Sequence, residues 1–223
     1  YFSVAASFFN AVRLVAVVGE DFPSEHVEFL RARGVDTRGL REVPGRTFRW
    51  KGYYTYDLNE AHTLDTQLNV FEDFDPEIPE EYRDSEYVFL ANIDPELQLK
   101  VLEQVRSPRL VVCDTMNFWI ENKREALLET VSRVDCLLLN DAEARQLAED
   151  PNLVAAGRKL LGMGPGRVII KKGEHGVIML AGEEFFSLPA YPLETVFDPT
   201  GAGDTFGGGF LGSLSRSERA GEE

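Results

Sequence analysis

The chain has 223 residues, 43% of them apolar and 27% charged, enough to build one large soluble α/β domain or two small ones. A formal net charge of -15 argues against a nucleic-acid or anionic-membrane surface, and no apolar run reaches the length of a bilayer span. Cys113 and Cys136 lie in apolar, strand-like runs without metal-site spacing, which predicts buried, reduced thiols in a cytoplasmic protein rather than a disulfide.

Tyr1 to Phe9 reads as the middle of an apolar helix. Leu14 to Gly19 is a continuous apolar run, as expected of a strand buried on both faces. A helix follows over Ser24 to Arg33, with Ser24 as its cap and Gly34 as its stop, completing a βα unit. From Arg46 to Val70 the pattern changes. Polar and aromatic residues alternate around a turn at Asp57 to Glu60, which predicts antiparallel strands exposed on one face. The aromatic residues Trp50, Tyr53, Tyr54 and Tyr56 suit a surface hairpin, a stack on a nucleobase, or a contact with a second copy.

Beyond an acidic connection the βα alternation resumes. Strands are predicted at Tyr87 to Ala91, Leu110 to Asp114, Cys136 to Asn140 and Arg167 to Lys171. Helices are predicted at Pro95 to Val105, Ile120 to Val131, Asp141 to Ala148 and Leu153 to Leu161, and a hairpin turns at Ala181-Gly182. This order predicts a mostly parallel sheet with helices on both faces, whose ligands bind beyond the carboxyl ends of the strands.

Polar residues gather where those strands end. Asp114 and Asn117 suit sugar hydroxyls or a phosphate–metal network, or equally the cap of the next helix. Asn140 and Glu143 have capping-box spacing, and i, i+3 side chains share one helix face. Lys171-Lys172-Gly173-Glu174-His175-Gly176 reads as a turn. No histidine has triad or metal-site spacing.

The densest signal is Asp198-Pro199-Thr200-Gly201-Ala202-Gly203-Asp204-Thr205-Phe206, followed by a helix predicted over Thr205 to Leu214. Bare backbone at a helix N-terminus can turn its N–H groups toward an anion. An aspartate there makes chemical sense if Asp204 takes the proton of a hydroxyl that attacks phosphorus. The segment resembles the second signature of the ribokinase-like, or PfkB, family of carbohydrate and nucleoside kinases. The resemblance implies a three-layer α/β/α, Rossmann-like core with a mostly parallel sheet and a small β-sheet lid at residues 42–70. The whole of 1–223 would then be one kinase domain, incomplete at both ends, whose activity is expected of the full-length parent.

Carried onto this sequence, the resemblance makes Asp204 the catalytic base and Gly201, Ala202 and Gly203 the anion hole. Asn140 and Glu143 would order Mg²⁺ through water, and Lys172, Gly173, Glu174, Gly176 and Thr200 would bind ATP. Asp114 and Asn117 would face the substrate, and carbonyls of Asp198 and Thr200 would suit a monovalent cation such as K⁺, as in some relatives. The implied partners are a small sugar or nucleoside and, through the lid, a second copy in a homodimer. Tyr1 stands where many sugar kinases place an asparagine, which weakens a ribose-specific reading. The family's sugar-binding aspartate and Gly-Gly turn are not in the sequence. The rival reading is a non-catalytic paralogue that senses a ligand or serves assembly. A nicotinamide enzyme is weaker, because no Gly-x-Gly-x-x-Gly follows an early strand.

Overall fold

In a computed structural model, which describes residues 1–56, 58–59 and 61–220, the chain gathers into two compact units, Tyr1–Arg83 with Asp198–Glu223 and Asp84–Phe197. The first unit opens with α1 (Phe2–Ser7), β1 (Val12–Gly19), α2 (Ser24–Ala32) and β2 (Val35–Val43), with β1 and β2 parallel. The βα unit is therefore present, with two corrections. Only Val18 and Gly19 of β1 are buried, because β2 is its one ladder partner among the described residues. Ser24 is the first helical residue and does not cap α2. Pro23 occupies that position, its fixed φ leading the chain into the helix one residue earlier than expected.

The predicted antiparallel ribbon forms from β3 (Arg49–Tyr54) and β4 (Ala61–Gln67), within the 42–70 segment. Of the turn expected at 57–60, Asp57 and Glu60 lie outside the described residues. The ribbon is fastened at its base. Gly19 N–H donates to Thr47 Oγ1 at 3.0 Å, Thr47 N–H to Asp21 at 2.7 Å, and Arg49 pairs with Asp21 at 3.0 Å. Two of its aromatics are engaged within the ribbon itself. Trp50 lies across Gly52 and donates to Thr63 Oγ1 at 3.0 Å, and Tyr53 stacks on His62 at 5.1 Å.

The second unit is built on β5 (Tyr87–Leu90), β6 (Leu110–Asp114), β7 (Cys136–Asn140), β8 (Arg167–Lys171), β9 (Val177–Ala181) and β10 (Glu184–Leu188), adjacent in that order. The strands β5 to β8 are parallel, and β9 and β10 close the sheet antiparallel at one edge. Five helices follow the strands: α3 (Pro95–Gln104), α4 (Asn117–Asn122), α5 (Arg124–Ser132), α6 (Asp141–Ala148) and α7 (Leu153–Leu161). Leu137, Leu139, Val168, Ile170 and Leu180 pack against Leu127, Val131, Leu147 and Leu160 in its main core. That core explains why the central strands read as unbroken apolar runs.

One expected helix is two. The run from Ile120 to Val131 breaks at Lys123, whose φ of -138° leaves the helical region. The Lys123 ammonium reaches Asp94 at 2.7 Å and Glu96 at 2.8 Å, at the start of α3, a long-range pairing that local periodicity cannot register. Cys113 and Cys136 are free and buried, as predicted, and burial pushes the Cys136 thiol up to about 12.

The chain then returns to the first unit as α8 (Ala202–Ala220), which packs along α1. It starts three residues before the predicted Thr205, so Ala202, Gly203 and Asp204 form its first turn. Asn10 ties the two helices together, its amide donating to Gly212 O at 3.0 Å and to Ser215 Oγ at 2.6 Å.

Candidate active site

In the first unit, the Asp198–Asp204 segment is a tight loop running into α8. Asp198 accepts the Thr200 N–H at 2.9 Å, and Ala202 N–H donates to Pro199 O at 3.1 Å. Bonds from the Thr200 backbone and hydroxyl hold the Asp198 carboxyl below the usual carboxylate range. Gly201 has a φ of +77°, a left-handed conformation that any other residue would strain to adopt. A Cβ there would also lie 2.3 Å from the Tyr1 ring, so the loop is molded around bare backbone. The first bond of the α8 ladder runs from Thr205 N–H to Gly201 O, 2.9 Å. Gly203 and Asp204 precede it, so their N–H groups have no intrahelical acceptor and sit at the positive end of a 19-residue helix. That is a cradle suited to a phosphoryl group, with the Asp204 carboxylate in its first turn.

In the second unit, the predicted residues collect at the carboxyl ends of β6, β7 and β8. Asp114 is buried and pairs with Lys171 Nζ at 3.3 Å, and Lys171 lies beside Asn140 in the strand register. Asn140 and Glu143 form the full capping box, with bonds of 2.8 Å and 2.7 Å. Glu143 is only 8% exposed, and burial, helped by Asp114 and Asp141, raises its carboxyl to about 7 against the pull of Asn140 N–H and Lys171. Thr115, next in the chain to Asp114, is buried with a hydroxyl that has no partner among the described residues. Asn117 is exposed at the start of α4, and neither it nor Asp114 caps that helix. The structure therefore places Asp114 with Lys171, Asn140 and Glu143 and leaves Asn117 apart.

The turn after β8 is as predicted. Lys172 N–H donates to Gly176 O at 2.8 Å around a 3-10 turn over Gly173–His175, and Glu174 and His175 are exposed. The donor set fits a hydrated Mg²⁺ carried by phosphates rather than a protein cage. Asn140 and Glu143 keep one polar side-chain atom each beyond the capping box, and no cluster of three metal-binding side chains occurs among the described residues.

Glu143 makes stability depend on pH. Its ordinary value is 4.5 and its folded value about 7, so the native chain holds the proton more tightly than the unfolded chain. The resulting stabilisation is complete below 4.5 and is lost as pH rises through about 7, on the order of 3 kcal/mol in all. Glu143→Gln, which retains an acceptor for the capping box, is expected to flatten this slope. Denaturant midpoints between pH 4.5 and 8 measure it, and an unchanged slope would assign the dependence to another group.

The pattern of pfkB family carbohydrate kinases matches residues 2–222. The chain belongs to this family and is a phosphotransferase that acts on an alcohol group. It is 36% identical over 210 residues to the cytidine kinase of Thermococcus kodakarensis, covering 92% of this chain and 74% of that protein. Among solved structures, the Burkholderia thailandensis nucleoside kinase bound to inosine superposes with a TM-score of 0.81 at 18% identity, covering 97% of this chain and 72% of that one. An Escherichia coli protein assigned as a ribokinase II, in complex with ATP and Mg²⁺, gives 0.80 at 20% identity, over 96% and 73% of the two chains. These likenesses establish the ribokinase-like α/β fold with its mostly parallel sheet and small antiparallel sheet.

Two residues of interest escaped the sequence reading. Of the adjacent pair Lys171-Lys172, Lys171 holds the buried carboxylate; it is the last residue of β8, so strand parity was the available signal. Tyr54, read only as one of four lid aromatics, meets Thr200 at 3.3 Å across 146 residues of sequence, for which no local signal exists.

Proposed function

We propose that the protein transfers the γ-phosphoryl group of ATP to a hydroxymethyl group of a small nucleoside or sugar, with a nucleoside the favoured acceptor. The observation that carries this reading is the first turn of α8, where a carboxylate, Asp204, stands among backbone N–H groups without intrahelical partners. Asp204 takes the proton of the acceptor hydroxyl as its oxygen bonds to phosphorus, and the bond to the departing ADP oxygen breaks. Gly201, Ala202 and Gly203 supply the anion hole, with Ala202 N–H turning from Pro199 to join the others. Mg²⁺, bound with the nucleotide, neutralises charge on the phosphoryl oxygens.

Asn140 and Glu143 order that ion through water, and Asp114 with Lys171 belongs to the same network rather than to acceptor hydroxyls. Lys172, Gly173, Glu174, Gly176 and Thr200 line the nucleotide, and the Asp198 and Thr200 carbonyls suit a K⁺ ion. The 36% identity to a cytidine kinase, with Tyr1 in place of a sugar-kinase asparagine, supports the nucleoside preference.

ADP release with Mg²⁺-ATP across cytidine, inosine, adenosine, ribose and fructose tests the assignment. Release with a nucleoside supports it. Nucleoside binding without ADP release would overturn it in favour of a ligand sensor.

A further inference from the structure

We propose that Tyr54 is a positioning residue, whose hydroxyl pairs with that of Thr200 and so ties the far end of the β3–β4 ribbon to the loop that leads into Asp204. The inference rests on the kinase reading for its effect on turnover, but the tether itself is a matter of geometry. The ribbon is anchored at its base through Thr47, Arg49 and Asp21, with Asn69 Nδ2 donating to Thr47 O at 2.9 Å and Val70 N–H to Arg46 O at 3.1 Å. Tyr54 is the last residue of β3, roughly 16 Å along the strand from Arg49. There its hydroxyl lies 3.3 Å from Thr200 Oγ1.

The Asp198 carboxylate in turn accepts the Thr200 N–H at 2.9 Å, so the chain of contacts runs from Tyr54 to Thr200 to Asp198.

Thr200 is the residue before Gly201, whose carbonyl accepts the first ladder bond of α8 from Thr205. Asp204 lies within that same turn. A displacement at Thr200 thus passes through one peptide to the start of the helix carrying the carboxylate. Gly201 lies against the Tyr1 ring, where an added Cβ would come within 2.3 Å of it. At 3.3 Å the Tyr54–Thr200 pair is longer than a fully formed O–H···O bond, near 2.7–2.8 Å, so the contact has room to tighten. The end of the ribbon and the turn that carries Asp204 are then linked by this contact.

The test is Tyr54→Phe, which removes the hydroxyl and keeps the ring. Amide hydrogen exchange at Thr200 and Ala202 in the ligand-free protein is expected to accelerate at least fivefold, and Thr200→Ser, which keeps a hydroxyl, to retain protection. In turnover, kcat is expected to fall about tenfold with KM for ATP within twofold, and Tyr54→Phe/Thr200→Val to be no slower than Thr200→Val alone. Unchanged exchange in Tyr54→Phe overturns the tether, as does an additive loss in the double variant. Should no acceptor be phosphorylated by the parent chain, the kinase reading fails, and the exchange comparison still decides whether Tyr54 holds the loop.

Discussion

Asp204→Asn is expected to lower kcat by about a thousandfold while ATP binds as tightly as before or more tightly. The substitution is nearly isosteric and leaves α8 and its first turn intact, so the backbone cradle persists. On the proposed mechanism it removes the proton acceptor, and positioned general bases contribute roughly 10²–10⁴-fold. The sign on ATP binding follows from charge: a carboxylate in the first turn opposes phosphate there, and a neutral amide does not. Single-turnover ADP release measures the first effect and calorimetric titration with ATP the second. A variant within tenfold of the parent kcat would remove Asp204 from the role of base. A large loss of ATP affinity would instead assign it to nucleotide or metal binding.

What the sequence disclosed and what it hid divide along the range of the interactions. Asn140 and Glu143 are three residues apart, and the capping box they form is fixed by local geometry, so spacing alone identifies it. Strands β6, β7 and β8 coincide with their predicted limits because each is an apolar run in the middle of the sheet, closed by a polar residue where the strand leaves the core. The helix expected over 120–131 failed for the opposite reason: Lys123 departs from helical geometry beside two carboxylates that lie 27 and 29 residues away in sequence. Ser24 has good capping chemistry, yet the proline before it decides where α2 begins. At the candidate site, the residue types of the 198–206 loop made a glycine-rich loop running into a helix legible. The contacts around it — the Tyr1 ring on Gly201 and the Tyr54 hydroxyl on Thr200 — join residues far apart in sequence and leave no periodic trace.

The glycines of α8 look alike in sequence and are expected to respond in opposite directions to an added side chain. A Cβ at Gly208 would lie 2.4 Å from the Phe2 carbonyl oxygen and 3.0 Å from the Ala5 Cβ. The nearer neighbour is backbone, which cannot rotate aside, so Gly208→Val must lift α1 off α8. Overpacking of this kind costs about 3 kcal/mol, little of it offset by the better helix propensity of valine. For a chain of this length the loss lowers the midpoint of thermal unfolding by about 6–12 °C. Gly209, one residue on, has nothing within 4 Å of its Cβ position, and Gly209→Ala should gain up to about 1 kcal/mol from propensity alone. Scanning calorimetry on the two variants gives the comparison, and shifts of the same sign in both would refute the close α1–α8 contact. The consequence extends to the loop, because α1 begins directly after the tyrosine whose ring confines Gly201. Lifting α1 therefore loosens the turn that presents Asp204, and Gly208→Val is expected to lose turnover at temperatures where it remains folded, whereas Gly209→Ala is not.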